Sequence, residues 1–144
     1  MRATVTIILL ALLGGPLLAG CADDQSRERE YARGVLQAER RLVAAHEKAR
    51  PAAGDRARDR PAELQALADV ARATHRDVRA LEPPQHLRDE DRRILDALVS
   101  MEQGATRLAG ATTAKDARAA FDTYLRGMVE LDAELERLRD ESGS

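Results

Sequence analysis

Aromatic residues and cysteine are scarce in this sequence. Its 144 residues include no tryptophan, one phenylalanine, two tyrosines and one cysteine. β-Sheets are enriched in aromatic and β-branched side chains, whereas the apolar residues of this chain are mainly alanine and leucine. Such residues favour helices that approach one another closely. We therefore expect an all-α protein.

Motifs that carry catalytic chemistry are absent as well. The sequence contains no glycine-rich phosphate loop, no Gly-x-Ser-x-Gly and no His-Glu-x-x-His. It also lacks the Glu-x-x-His pairs of di-iron bundles and the Cys-x-x-Cys-His of haem attachment. Acidic and basic residues are interleaved, so no concentrated basic face is available for nucleic acid. These features predict a non-enzymatic protein without a cofactor and without a nucleic-acid partner.

The first twenty residues have the layout of a secretory signal. Arg2 provides a positive start, Val5 to Leu13 is almost entirely apolar, and small residues follow a Gly-Gly-Pro break. A membrane-spanning helix needs about 20 apolar residues, and this interrupted run is shorter. The signal therefore favours export over a permanent span.

The segment Leu18-Ala19-Gly20-Cys21 resembles the lipobox of bacterial lipoproteins. The resemblance implies cleavage of residues 1–20, attachment of acyl chains to Cys21, and an address on the extracytoplasmic face of a bacterial membrane. Two or more acyl chains give stable attachment, where one is marginal. With Cys21 lipidated no disulfide is possible, so the fold depends on packing. The alternative is an ordinary secreted protein in which the cysteine occurs by chance.

The mature chain divides into four amphipathic segments. Apolar residues recur at alternating intervals of three and four, as on the buried face of a helix. We predict a short tether at residues 21–25, helices at about 26–49, 62–81, 85–109 and 114–139, and a frayed tail at 140–144. Short connections favour an antiparallel up-down-up-down four-helix bundle. The alternative is a three-helix core with the first helix docked loosely or pairing between molecules.

A polar pair is predicted near the turn at Pro83-Pro84. Asp91 occupies a core position of the third helix, and a buried carboxylate needs a partner or a route to solvent. Folding the chain about the two prolines brings His75 to nearly the same level. We therefore predict a His75–Asp91 contact, either a structural pair or part of a ligand or metal site. The other two histidines, His46 and His86, are expected at the surface or at its boundary.

Two mid-helix glycines suggest a place where helices approach closely. Gly34 and Gly127 each precede a core position of the first and fourth helices, although glycine costs about 1 kcal/mol against alanine there. Both lie a similar distance from the same end of the bundle. We predict that helices 1 and 4 meet at these residues, with a small cavity for an apolar ligand as the functional alternative.

The mature region resembles small helical lipoproteins of actinobacterial type. The resemblance consists of the turn Leu81-Glu82-Pro83-Pro84 and the amphipathic helix from Leu87 to Leu108, and it implies no activity. The leading hypothesis is a lipid-anchored envelope interaction or structural module, held by membrane lipid through Cys21 and binding an envelope protein partner. The alternative is a small-ligand or metal-binding lipoprotein that uses the His75/Asp91 region.

Overall fold

The computed structural model describes residues 19–50 and 61–142, which form an all-α bundle of four helices. The helices are α1 (Ala19–Ala49), α2 (Pro61–Arg79), α3 (Arg88–Ala109) and α4 (Ala114–Ser142), and a single 3-10 turn, Gln85–Leu87, precedes α3. Consecutive helices pack against each other, and the sparser α1–α4 contact completes the ring. The predicted antiparallel four-helix bundle is thus confirmed for the described residues.

The core consists of the predicted apolar stripes. In every helix the residues spaced by three and four are those that lose contact with solvent, since these positions share one helix face. The large side chains at the centre of the bundle are Val35, Leu42, Leu67, Val78, Ile94, Leu98, Met101, Tyr124, Leu135 and Leu138. A second, smaller cluster consists of Leu64, Leu108, Ala117 and Ala120. Its members belong to α2, α3 and α4.

Helix α1 is longer than the sequence pattern predicted. It begins at Ala19 rather than near Ser26 and includes Cys21, so the segment 21–25 is helical here and the predicted tether is corrected. No proline or glycine lies between Cys21 and Tyr31, so no residue there breaks the helix. The bundle therefore follows Cys21 without a flexible spacer.

The connection between α2 and α3 is longer than predicted and displaces α3 along the bundle axis relative to α2. Helix α2 ends at Arg79 and not at Leu81, and α3 begins at Arg88 after its 3-10 turn. Along this stretch Asp77 contacts Arg41, Leu81 lies against Gly34, and His86 lies 3.4 Å from Glu28. The chain thus passes thirteen residues of α1, about 20 Å at ~1.5 Å per residue, before α3 starts. The first turns of α3 consequently lie beyond the end of α2.

Helices α3 and α4 approach each other most closely, at two glycines. A Cβ on Gly104 would lie 2.5 Å from the backbone nitrogen of Tyr124, and one on Gly127 would lie 2.8 Å from the carbonyl oxygen of Ala97. The turn that joins these helices ends in a capping box, where Thr113 Oγ1 accepts a hydrogen bond from the Asp116 N–H at 3.0 Å. The α3–α4 hairpin is therefore fixed both by its turn and by direct backbone proximity.

The predicted meeting of Gly34 and Gly127 is wrong. Gly34 faces the Leu81 side chain, with a would-be Cβ 2.9 Å from a leucine methyl group, whereas Gly127 faces α3. The two glycines serve different contacts because the non-helical segment after α2 fills the space next to Gly34. On α3, Gly104 is the glycine that lies against the α4 backbone. The sequence analysis did not single it out.

Candidate functional site

The predicted His75–Asp91 pair does not form. His75 Nδ1 lies 2.7 Å from Glu102 Oε2, and Asp91 Oδ1 accepts a hydrogen bond from the Tyr31 hydroxyl at 2.8 Å. The physical reason is the register shift at the α2–α3 connection, which places His75 level with Glu102. His75 and Asp91 therefore belong to separate contacts and make no common site.

Asp91 instead joins α3 to α1. Partial burial raises the pKa of the Asp91 carboxyl group, while the hydrogen bond from Tyr31 opposes this rise. Burial, followed by the Asp91 carboxylate, also raises the pKa of the Tyr31 hydroxyl. The pair satisfies two polar groups close to the core, so its role is structural.

An apolar groove of about 250 Å³ runs between α1 and α4. Its walls are apolar side chains, namely Leu42, Val43, Met101, Tyr124, Met128, Val129, Leu131 and Leu135. Val43 and Val129, with 47% and 69% of their surface exposed, are the large apolar residues of the described chain that face solvent. Both line this groove, so the exposed apolar surface is gathered at one place and marks a binding site.

Tyr124, beneath the groove, has a buried hydroxyl without a partner among the described residues. Its side chain is fully buried, and its hydroxyl has no hydrogen-bond partner among the described residues. An unsatisfied buried donor costs about 1–3 kcal/mol, so such groups in native proteins call for an explanation. Burial raises the pKa of this hydroxyl, which therefore stays protonated at physiological pH and remains a donor.

His46 of α1 stacks on Tyr124 of α4. The ring centroids of His46 and Tyr124 are 5.5 Å apart and their planes differ by 10°. Phe121, also on α4, has its ring centroid 6.4 Å from that of Tyr124. Sequence analysis expected His46 at the surface or its boundary, but only 9% of the residue is exposed. Its position four residues after Leu42 and three before Ala49, which are both buried, was the available signal.

Burial lowers the pKa of His46. The nearby Glu47 opposes this effect and Arg50 reinforces it. The ring is therefore neutral at neutral pH and extends the apolar wall beside Tyr124. His86, in contrast, is exposed as expected, with Nε2 3.4 Å from a carboxylate oxygen of Glu28.

Acidic side chains mark the rim of the groove. Glu39 and Asp132 are its two charged lining residues. Glu39 accepts two hydrogen bonds from Arg139, at 3.0 and 3.2 Å, so its charge is compensated. Asp132 is exposed, and the rim as a whole is negative. An anionic group would meet repulsion here.

The donor sets required for a metal site are not assembled in the described residues. No three His, Cys, Asp or Glu side chains of residues 24–50 and 61–140 lie close enough to hold an ion. Within the same described part of the chain, no helix has both the length and the apolar character to cross a bilayer. A further apolar groove, of about 580 Å³, lies between α1 and α2, where Ala45, Leu67 and Val70 line it. The α1–α4 groove differs from it in containing the two exposed valines, Val43 and Val129.

Comparison of the chain with protein-family models, with curated protein sequences and with solved structures finds no match. The function therefore has to follow from the groove and from the N-terminal sequence.

Proposed function

We propose that this chain is a non-enzymatic lipoprotein, anchored through acylated Cys21 on the extracytoplasmic face of a bacterial membrane, whose helical bundle binds an apolar molecule in the α1–α4 groove. The observation that carries the binding role is the groove itself. Val43 and Val129, the large exposed apolar residues of the described chain, both line this space of about 250 Å³.

The anchor rests on the lipobox sequence Leu18-Ala19-Gly20-Cys21. Because α1 already includes Cys21, a lipid on this residue would hold the bundle close to the bilayer. The α1 residues of the groove, Glu39 to Val43, lie about 27–33 Å along the helix from Cys21 at ~1.5 Å per residue.

A small molecule fits the groove better than a protein segment. The space exceeds the ~150 Å³ of an engineered cavity that binds benzene, but it lies below the ~300–1,000 Å³ usual for larger ligands. We therefore propose a small apolar ligand in place of the envelope protein partner predicted from the sequence. The alternative that places a ligand or metal at His75 and Asp91 is not retained, because these residues do not meet.

Intact mass spectrometry tests the anchor. Protein extracted from membranes is expected to begin at Cys21 and to carry the added mass of acyl chains. A product with an unmodified cysteine, released into the aqueous fraction, would contradict the proposal. Loss of the acyl mass in Cys21→Ala is the matched control.

Photolabelling in membranes tests the groove. Tryptic cleavage yields one peptide with residues 42–48 and another with residues 127–137, and these contain most of the groove lining. A diazirine-bearing undecene is expected to label both peptides, and the α2 peptide, whose Leu67 and Val70 line a separate α1–α2 groove, measures labelling outside the α1–α4 groove. The double substitution Val43→Asp and Val129→Asp should reduce this labelling several-fold, while Ala119→Asp, an exposed change on α4 away from the groove, should not. Equal labelling of all three proteins would overturn the binding role.

A further inference from the structure

We infer that the ligand of the α1–α4 groove is an amphiphilic cation, a hydrocarbon chain that ends in an amine or ammonium group, and that Asp132 binds this group at the rim. The inference rests on the binding role proposed above and adds the chemical class of the ligand. The hydrocarbon chain would lie between α1 and α4, and its charged end would stay at the surface.

The inner lining of the groove suits a hydrocarbon chain. Leu42, Met101 and Leu135 line it, and all three are buried apolar residues. Val43 and Val129 line its open side, where they expose apolar surface to solvent. A hydrocarbon chain that covers the two valines removes this surface from water, which favours binding.

The charges at the rim favour a cationic end on this chain. The two charged residues that line the groove, Glu39 and Asp132, are both acidic. Arg139 reaches from α4 to Glu39 on α1 and compensates its charge. Asp132 is exposed and forms no salt bridge with the described residues. The Asp132 carboxylate is therefore the charge that attracts a cation and repels an anion at this rim.

The position of Asp132 determines which end of the ligand faces solvent. Asp132 follows Val129 by three residues, about one turn of α4, so it lies beside the open side of the groove. A cation paired with this exposed carboxylate keeps most of its water and avoids the cost of burying a charge. A cation placed among the buried side chains would lose that water without a counter-charge. The charged end consequently lies outside and the hydrocarbon chain inside.

Photolabelling with three matched probes tests this inference on the lipidated full chain in phosphatidylcholine vesicles, which carry no net charge. The probes are diazirine-bearing undecylamine, undecanol and undecanoate, which share one chain and differ in charge. Asp132→Asn should raise the concentration of undecylamine for half-maximal labelling of peptides 42–48 and 127–137 about 2- to 5-fold, the effect of one exposed ion pair. The substitution should lower this concentration for undecanoate and leave it unchanged for undecanol.

Glu130→Gln is the matched control. It removes the same charge from an exposed residue of α4 that does not line the groove. Glu130 and Asp132 are two residues apart, so their side chains point about 200° apart around a helix of ~3.6 residues per turn. This variant should be labelled like the wild type by all three probes.

The ligand class and the binding role fail through different results. If undecylamine labels Asp132→Asn as well as the wild type, or if Glu130→Gln weakens its labelling equally, Asp132 binds no cation and the ligand class is wrong. Labelling of the two peptides by undecanol would in that case still support the groove as a binding site. If none of the three probes labels the two peptides, both the binding role and the ligand class are overturned.

Discussion

His46 lies flat against Tyr124 across the α1–α4 seam, with ring centroids 5.5 Å apart. The contact joins the two helices that otherwise pack most sparsely in the ring. Because the histidine is buried and the tyrosine hydroxyl has no partner among the described residues, we expect the stability of this contact to depend on pH and on the Tyr124 hydroxyl. The first two predictions follow from this relationship.

His46 should make the bundle less stable in mild acid. Burial lowers its folded pKa below the unfolded value of about 6.5, so the unfolded chain takes up the proton first. The free energy of unfolding contributed by neutral His46 is present above pH ~6.5 and is lost as pH falls toward the folded pKa. In urea denaturation at pH 7.5 and 5.0, His46→Phe should lose less stability than the wild type. His86→Gln, at an exposed site, is the control, and equal losses in the wild type and His46→Phe would contradict the prediction.

Tyr124→Phe should stabilise the ligand-free bundle. The substitution removes a buried hydroxyl that has no partner, so the expected gain is about 1 kcal/mol in the free energy of unfolding. For a domain of this size that corresponds to a rise in Tm of roughly 3–5 °C. Tyr31→Phe provides the opposite control, since the Tyr31 hydroxyl donates to Asp91 at 2.8 Å and its loss should lower stability. A Tm that falls in Tyr124→Phe would show that the hydroxyl has a partner in the folded protein.

Alanine at Gly104 should destabilise the protein, whereas alanine at Gly34 should not. At Gly104 the new Cβ would meet the backbone of Tyr124, which cannot move aside alone. Overpacking of this kind costs about 1–3 kcal/mol, more than the ~1 kcal/mol gained from helix propensity. At Gly34 the obstacle is the end of the flexible Leu81 side chain. Thermal unfolding of both variants checks the difference, and equal Tm values would argue against close contact of α3 and α4.

Asp91→Asn should stabilise the bundle at neutral pH but not in acid. Burial raises the folded pKa of Asp91 above its unfolded value of about 3.9, so the folded state holds the proton more tightly. This raised pKa favours folding at low pH, and the benefit is lost as pH rises through the folded pKa. Asparagine keeps an acceptor for Tyr31 without the charge. The stability difference between variant and wild type should therefore shrink between pH 7 and pH 3.5, and a constant difference would exclude Asp91 as its source.

The helices themselves were predictable because their apolar spacing is regular. Val35, Leu42 and Leu98 lie on stripes defined by the sequence alone, and the structure buries all three. The Thr113–Asp116 cap was equally local and is present. Such features need only the geometry of one helix, so no knowledge of its neighbours is required.

The contacts between helices were harder to predict, since they depend on the path of the connections. The His75–Asp91 pair failed because residues 80–84 continue along α1 before α3 begins, a length that no local pattern specifies. Burial of His46 depends on the rotation of α1 about its axis by a fraction of a turn. The groove beside Tyr124 depends on the spacing of α1 and α4 and has no sequence signature of its own.

Folding should begin in the α3–α4 hairpin, because Gly104 and Gly127 let its two backbones touch and a four-residue turn joins them. Contacts close in sequence form at low entropic cost, so this hairpin provides an early template for α2. Helix α1 then docks last. It packs mainly against α2 and makes few contacts with α4. Native-state amide exchange would accordingly be slowest in α3 and α4 and fastest in α1, and brief undocking of α1 would open the groove without unfolding the rest of the chain.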